Sequence, residues 1–119
     1  MSEPVRISPA EAQAKMNEGY TYVDVRTPEE FADGRPKGAV NVPIGDDFVA
    51  QMDARFAKDA KLVLGCRSGN RSMRGARALL AAGYTNIFEQ RAGYEGSKGA
   101  FGEVTEPGWS KTDLPTEKG

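Results

Sequence analysis

Seven consecutive residues carry most of the chemistry available to this chain: Cys66-Arg67-Ser68-Gly69-Asn70-Arg71-Ser72. They combine a potential nucleophile, two cations, two hydroxyls and a glycine. Cys66 is the only cysteine. The thiolate is the reactive form of Cys, and electropositive surroundings favour it. Gly69 lets the backbone curl so that successive N–H groups converge as an anion nest. The stretch also opens a helical pattern, whose unpaired N–H groups and dipole attract negative charge. Arg67 and Arg71 add formal positive charge, while Ser68 and Ser72 can donate hydroxyl hydrogens. The chemistry that suits such a set is attack by Cys66 on an anionic substrate. A lone Cys at a strand end is often an inert core residue. Two Arg and two Ser, however, are poor core neighbours.

Composition narrows the mechanism. The chain has no histidine, which removes Cys–His and Ser–His pairs, haem ligation by His and the usual zinc sets. Activation of Cys66 must therefore come from backbone and Arg, and no cofactor or metal is implied. A single Cys forbids an internal disulfide and suits a reducing compartment. The 119 residues fit one domain spanning 1–119, long enough for a self-sufficient core. Sixteen basic and seventeen acidic residues leave a net charge of −1, with no global drive toward nucleic acid or membrane. The apolar runs are far shorter than the roughly 20 residues of a bilayer span. Met1-Ser2-Glu3-Pro4 lacks the basic and apolar regions of a signal peptide. These features predict a soluble, cytoplasmic monomer without nucleic-acid or membrane partners.

The elements that must position the loop alternate along the chain. Val5-Arg6-Ile7 reads as a short strand. Ser8-Pro9-Ala10-Glu11 is a helix start with a capping box and Pro at the first position, and Gly19 is its terminator. Tyr20 to Val25 is a strand, and Thr27-Pro28-Glu29-Glu30 repeats the start signal before a helix that Gly34 and Pro36 stop. Ala39 to Val42 is a brief strand. Asp46 or Asp47 can cap a helix through about Lys58, with Phe48, Met52 and Phe56 on one face. Lys61 to Gly65 is a near-continuous apolar run, as expected of a strand covered on both faces. A helix from Met73 to Ala82 follows, with Met73, Ala76 and Leu80 on its inner face, Arg74 and Arg77 in solvent, and Gly83 at its end. Asn86 to Glu89 is another strand. Glu95 to Gly108 reads as a long Gly-rich surface loop. Trp109 and Leu114-Pro115 should pack back, and 112–119 should form a flexible tail. The pattern predicts an α/β domain with a mostly parallel central sheet of about five strands and helices on both faces. Ligands of such folds sit outside the carboxyl ends of the strands. Cys66 lies at one such end, and Asp24 and Arg26 at another.

The loop Cys66-Arg67-Ser68-Gly69-Asn70-Arg71-Ser72 resembles the active-site loop of single-domain rhodaneses, the thiosulfate sulfurtransferase family. Further segments resemble that family in the same order: Tyr22 to Phe31, Gly34 to Pro43, Ala82-Gly83-Tyr84-Thr85-Asn86, Arg91-Ala92-Gly93-Tyr94, and Trp109 with Leu114-Pro115. Gly34-Arg35-Pro36-Lys37-Gly38 departs by lacking the usual His and carrying Lys where Pro is typical, and Ala92 stands where Gly is common. The resemblance implies a three-layer rhodanese-like domain and covalent sulfur transfer. The Cys66 thiolate would take the outer sulfur of thiosulfate as a persulfide and pass it to cyanide, a thiol or a protein thiol. Arg67, Ser68, Gly69, Asn70, Arg71 and Ser72 would bind the anionic donor. Asp24 and Arg26 would support the site or form an internal salt bridge.

Three other readings compete. A persulfide carrier would serve a partner protein, and a binding module would use the fold without catalysis. A Cys-dependent phosphatase or arsenate reductase needs a loop of Cys, five residues and Arg. Here only four residues separate Cys66 from Arg71, which is tight for a tetrahedral phosphate.

Overall fold

The computed structural model describes residues 3–119; Met1 and Ser2, the start of the segment assessed above for a signal peptide, lie outside them. Five parallel strands form the central sheet. They are β1 (Val5–Ile7), β2 (Thr21–Asp24), β4 (Val40–Asn41), β5 (Leu62–Gly65) and β6 (Ile87–Gln90), in the order β1-β6-β5-β2-β4. Between them run α1 (Pro9–Asn17), α2 (Pro28–Asp33), α3 (Phe48–Arg55) and α4 (Asn70–Ala81). The expected α/β architecture is the observed one. No helix among the described residues is long and apolar enough to cross a membrane.

Local chemistry fixes the helix starts. Ser8 Oγ accepts the Glu11 N–H at 3.1 Å while Glu11 Oε1 accepts the Ser8 N–H at 2.8 Å. Thr27 and Glu30 repeat the arrangement on α2. Each box satisfies two orphan donors of a helix start. Asp47 stands at the cap of α3 but makes no side-chain cap bond; its carboxylate receives the Gln51 side chain instead.

Strand alternation then divides the core in two. Val23, Leu62, Leu64 and Ile87 face Phe48, Met52, Ala76 and Leu79 of α3 and α4. Tyr22, Val63 and Phe88 face Ala12 of α1 and Trp109 on the opposite side. The buried face of α4 is Ser72, Gly75, Ala76 and Leu79, whereas Met73 and Leu80 are half-buried. The expected Met73–Ala76–Leu80 stripe is therefore displaced by about one position. The helix begins at Asn70, three residues before Met73, so its first turn is polar and carries no hydrophobic period to read.

Two further expectations are corrected. Glu95 to Gly108 is a hairpin, with β7 (Gly96–Lys98) antiparallel to β8 (Val104–Pro107). Its side chains are mostly exposed and its register shifts between Ser97 and Lys98, so it lacks the apolar alternation that marks a strand. The segment 112–119, expected to be a flexible tail, is tied down. Thr116–Glu117 (β9) pairs with Arg35–Pro36 (β3), and the Gly119 N–H reaches the Ala32 carbonyl at 2.9 Å.

Trp109 has no exposed surface, meets the Tyr22 ring edge-on at 5.5 Å and donates its indole N–H to the Pro115 carbonyl at 2.8 Å. Trp109→Ala should cost about 3–5 kcal/mol, the range for emptying a large aromatic site. Urea denaturation checks this, and an unchanged midpoint would contradict the packing role.

Candidate active site

The end of β5 delivers Cys66 to the carboxyl edge of the sheet, where the chain turns at once into α4. Gly69 makes that turn with φ +102° at the helix cap. A β-carbon there would stand 2.6 Å from the Arg91 carbonyl oxygen and 2.8 Å from Arg6 Nη2. Glycine is thus required for backbone angle and for space. Cys66 is 2% exposed. Its sulfur accepts the Gly69 N–H at 3.1 Å and lies 3.3 Å from Ser72 Oγ. Asn70, Arg71 and Ser72 form the first turn of α4, whose N–H groups have no helical carbonyl to bond. Of the expected anion cradle, one backbone donor, the Gly69 N–H, is directed at the sulfur.

The loop is clamped from the far side. Tyr94 N–H donates to the Cys66 carbonyl at 2.8 Å and Glu95 N–H to the Arg67 carbonyl at 3.0 Å. Gly93 has φ +68°, and a β-carbon on it would run into the Arg67 and Cys66 carbonyls. Buried Gln90 shapes this turn: its amide oxygen accepts the N–H groups of Ala92 and Gly93, and its amide nitrogen donates to the Gly93 carbonyl.

The cations are disposed differently from expectation. Arg67 pairs with Glu95 at 2.9 Å. Arg71 grips Glu30 with two bonds of 2.8 and 3.0 Å. Glu30 caps α2 as well, so this pair joins the first turns of α2 and α4. Neither guanidinium turns toward the sulfur with its charge uncompensated. The cations beside the loop are instead Arg6, Arg91 and Lys98, which line a cleft of about 610 Å3 together with Ser68, Asn70 and strands β7 and β8. Arg91 there is paired with Glu106 at 2.8 Å. Arg74 and Arg77 are exposed on α4.

Asp24 and Arg26 form a buried salt bridge. Arg26 Nε lies 2.9 and 3.0 Å from the two carboxylate oxygens, and Nη2 donates to Asp24 Oδ2 and to the Gly34 carbonyl, each at 2.6 Å. The guanidinium stacks 4.6 Å above the Tyr94 ring. The pair thus supports the turn that clamps the loop from a position beside it.

Residues missed by sequence reasoning include Glu89, Gln90, Arg6, Arg91 and Lys98. Arg6 and Glu89 are directly opposite in register and bonded at 2.7 Å. Their signal was opposite charges at the centres of two short strands. Lys98 and Arg91 carry no such signal, because the hairpin between them is mostly exposed and lacks apolar alternation.

The family model for the rhodanese-like domain matches residues 8–100. The chain is 33% identical over 124 residues to thiosulfate sulfurtransferase 16, chloroplastic, of Arabidopsis thaliana, covering 96% of this chain and 93% of that protein. It is also 33% identical to the thiosulfate sulfurtransferase GlpE of Ectopseudomonas mendocina, covering 91% and 97% respectively. Senescence-associated protein DIN1 of Raphanus sativus is 35% identical across 98% of this chain, which spans only 61% of that relative's length. Among solved structures, Rv0390 from M. tuberculosis matches with a TM-score of 0.82 at 28% identity, covering 99% of this chain and 100% of that one.

The Arg71 hydrogen bonds, opposed by burial and aided by the Thr27 cap, hold the Glu30 carboxyl at about 2 instead of the ordinary 4.5. Because the folded value is lowered, the stability the pair contributes is full above the ordinary carboxylate range and is lost as pH falls toward 2. Carboxyl NMR should show Glu30 titrating near pH 2 and moving up toward 4.5 in Arg71→Ala. A Glu30 midpoint indifferent to that substitution would contradict the pairing.

Proposed function

The chain belongs to the rhodanese-like domain family, and from that membership we propose that it is a sulfurtransferase whose nucleophile is Cys66. The thiolate attacks the outer sulfur of thiosulfate. The donor's S–S bond breaks and its electron pair leaves with sulfite, while Cys66 retains the sulfur as a persulfide. Cyanide or a thiol then attacks the terminal sulfur, forming thiocyanate or a new persulfide and returning the thiolate. Sulfur enters and leaves as a neutral atom, so no redox cofactor is needed.

The observation that carries this reading is the Gly69 N–H directed at Cys66 Sγ from inside a turn that leads straight into a helix. Backbone donors around a sulfur stabilise an anion there without any imidazole. The named relatives supply the substrate class, thiosulfate. Donor binding then rests on the cleft where Lys98 stands beside Ser68 and Asn70; Arg6 and Arg91 line it with their charges shared with Glu89 and Glu106, as Arg67 and Arg71 share theirs with Glu95 and Glu30.

A protein thiol as acceptor is favoured by one feature. Phe101 is 97% exposed in the turn joining β7 to β8, the strands that wall the cleft. With Val104, also exposed on β8, it places two large apolar side chains on one hairpin, the kind of exposed apolar surface that suits a protein contact. The phosphatase reading is weakened by the same geometry that pairs Arg71 with Glu30, since that guanidinium is engaged away from the loop.

Cys66→Ser should fold with little change in stability and make no thiocyanate from thiosulfate and cyanide. Turnover retained in that variant would contradict the proposal. So would a wild-type protein that hydrolyses aryl phosphates yet forms no thiocyanate.

A further inference from the structure

The chemistry proposed above leaves one fully buried charge beside the sulfur without a task. Glu89 has no exposed surface. Its neighbour Ile87 packs on the α3–α4 side of the sheet and Phe88 on the other, so alternation along β6 turns Glu89 toward α4. A carboxylate buried this way is costly unless its oxygens are satisfied. Arg6 Nε donates to Oε1 at 2.7 Å, and the Ser72 hydroxyl donates to Oε2. Arg6 is thus the ion-pair partner of Glu89.

Ser72 has one hydroxyl hydrogen, and its contact with Glu89 Oε2 uses it. Either atom could donate in the 3.3 Å approach between Cys66 Sγ and Ser72 Oγ; with the Ser72 hydrogen engaged by Glu89, the thiol form of Cys66 is the donor there. The three side chains form a continuous line from sulfur to carboxylate.

We propose that Glu89 accepts the Cys66 proton through Ser72, so that the thiolate forms inside the closed loop without an imidazole base. The thiol hydrogen passes to Ser72 Oγ as the Ser72 hydrogen passes to Glu89 Oε2. No atom or electron leaves the set. Afterwards Ser72 donates to the thiolate, joining the Gly69 N–H, and the neutral Glu89 acid donates to Ser72. Glu89 reaches the sulfur only through Ser72 and is a positioning residue in this sense. The inference rests on Cys66 being the nucleophile.

The charged and titratable groups around this line are few. Arg6 of β1 faces Glu89 directly, and Arg91 lies just beyond β6, paired with Glu106. On α4, Arg71 is paired with Glu30, and Arg77 with Glu3 on the outer surface, while Arg74 is exposed. Arg67 of the loop pairs with Glu95. From β2 come the mutually neutralised Asp24 and Arg26 and the Tyr22 hydroxyl, which burial pushes strongly upward and so keeps protonated. None competes with Glu89 for the hydrogen of Ser72.

The test is the pH dependence of Cys66 alkylation by the neutral reagent iodoacetamide, with no sulfur donor present. Thiol with ionised Glu89 and thiolate with protonated Glu89 hold the same number of protons, so their ratio does not change with pH. Wild-type protein should show a plateau, with the rate varying less than about twofold per pH unit through the neutral range, as for a pair sharing one proton. Glu89→Gln should lose the plateau and climb about tenfold per pH unit, the slope of one ionisation. Ser72→Ala should lose it as well, and Glu89→Asp should restore it. A merely structural Glu89 would change rates without changing the shape of the profile. A tenfold slope per unit in the wild-type protein itself would overturn the proposal, whatever the variants do. Since alkylation involves no sulfur transfer, a plateau in a protein that never accepts sulfur would reject the proposed function alone, and sulfur transfer without a plateau would reject only the relay.

Discussion

The main-chain clamp between Cys66–Arg67 and Gly93–Glu95 is the constraint on which the rest of the structure depends. Two N–H groups, from Tyr94 and Glu95, hold the carbonyls of Cys66 and Arg67. The approach is close enough that residue 93 has no room for a side chain. Once those carbonyls are fixed, the chain leaving β5 has one direction to turn, and Gly69 completes the turn with its N–H on the sulfur. The clamp is itself backed by a second layer, since Trp109 N–H bonds the Gly93 carbonyl and Ser110 N–H the Tyr94 carbonyl. Burial of the Trp109 ring against Tyr22 thus reaches Cys66 through two successive backbone contacts.

Buried polar groups do most of the positioning around this clamp. Asp24–Arg26 and Gln90 each satisfy one another or a turn, and Glu89 satisfies itself on Arg6 and Ser72. Each of these groups would be destabilising if left unpaired. Satisfied, they allow few alternative packings, which suits the proposed function, in which the placement of one sulfur matters. Arg91 and Lys98 stand at the cleft, where screening by solvent is greater than in the core.

Much of this was legible in the sequence, for identifiable reasons. The capping boxes at Ser8 and Thr27 are local in sequence, and so is the alternation that makes β5 a central strand. The loop 66–72 announced itself because its residue types are wrong for a core. What escaped detection depended on pairing across long separations. Arg6 meets Glu89 across 83 positions, and Arg71 meets Glu30 across 41. Arg67 and Arg71 belong to the loop itself, but nothing local reveals that each has a carboxylate partner. The β7–β8 hairpin and the β3–β9 pairing hold by backbone bonds with little apolar burial, so neither leaves a hydrophobic pattern to find.

The central claim is that Cys66 carries the transferred sulfur. Its most direct test is intact-mass spectrometry of the protein before exposure to thiosulfate, after it, and after addition of a thiol acceptor. The account predicts the gain of one sulfur atom on Cys66, its loss to the acceptor, and no gain in Cys66→Ser. A wild-type protein whose mass never changes, or a variant lacking Cys66 that still takes up sulfur, would contradict it.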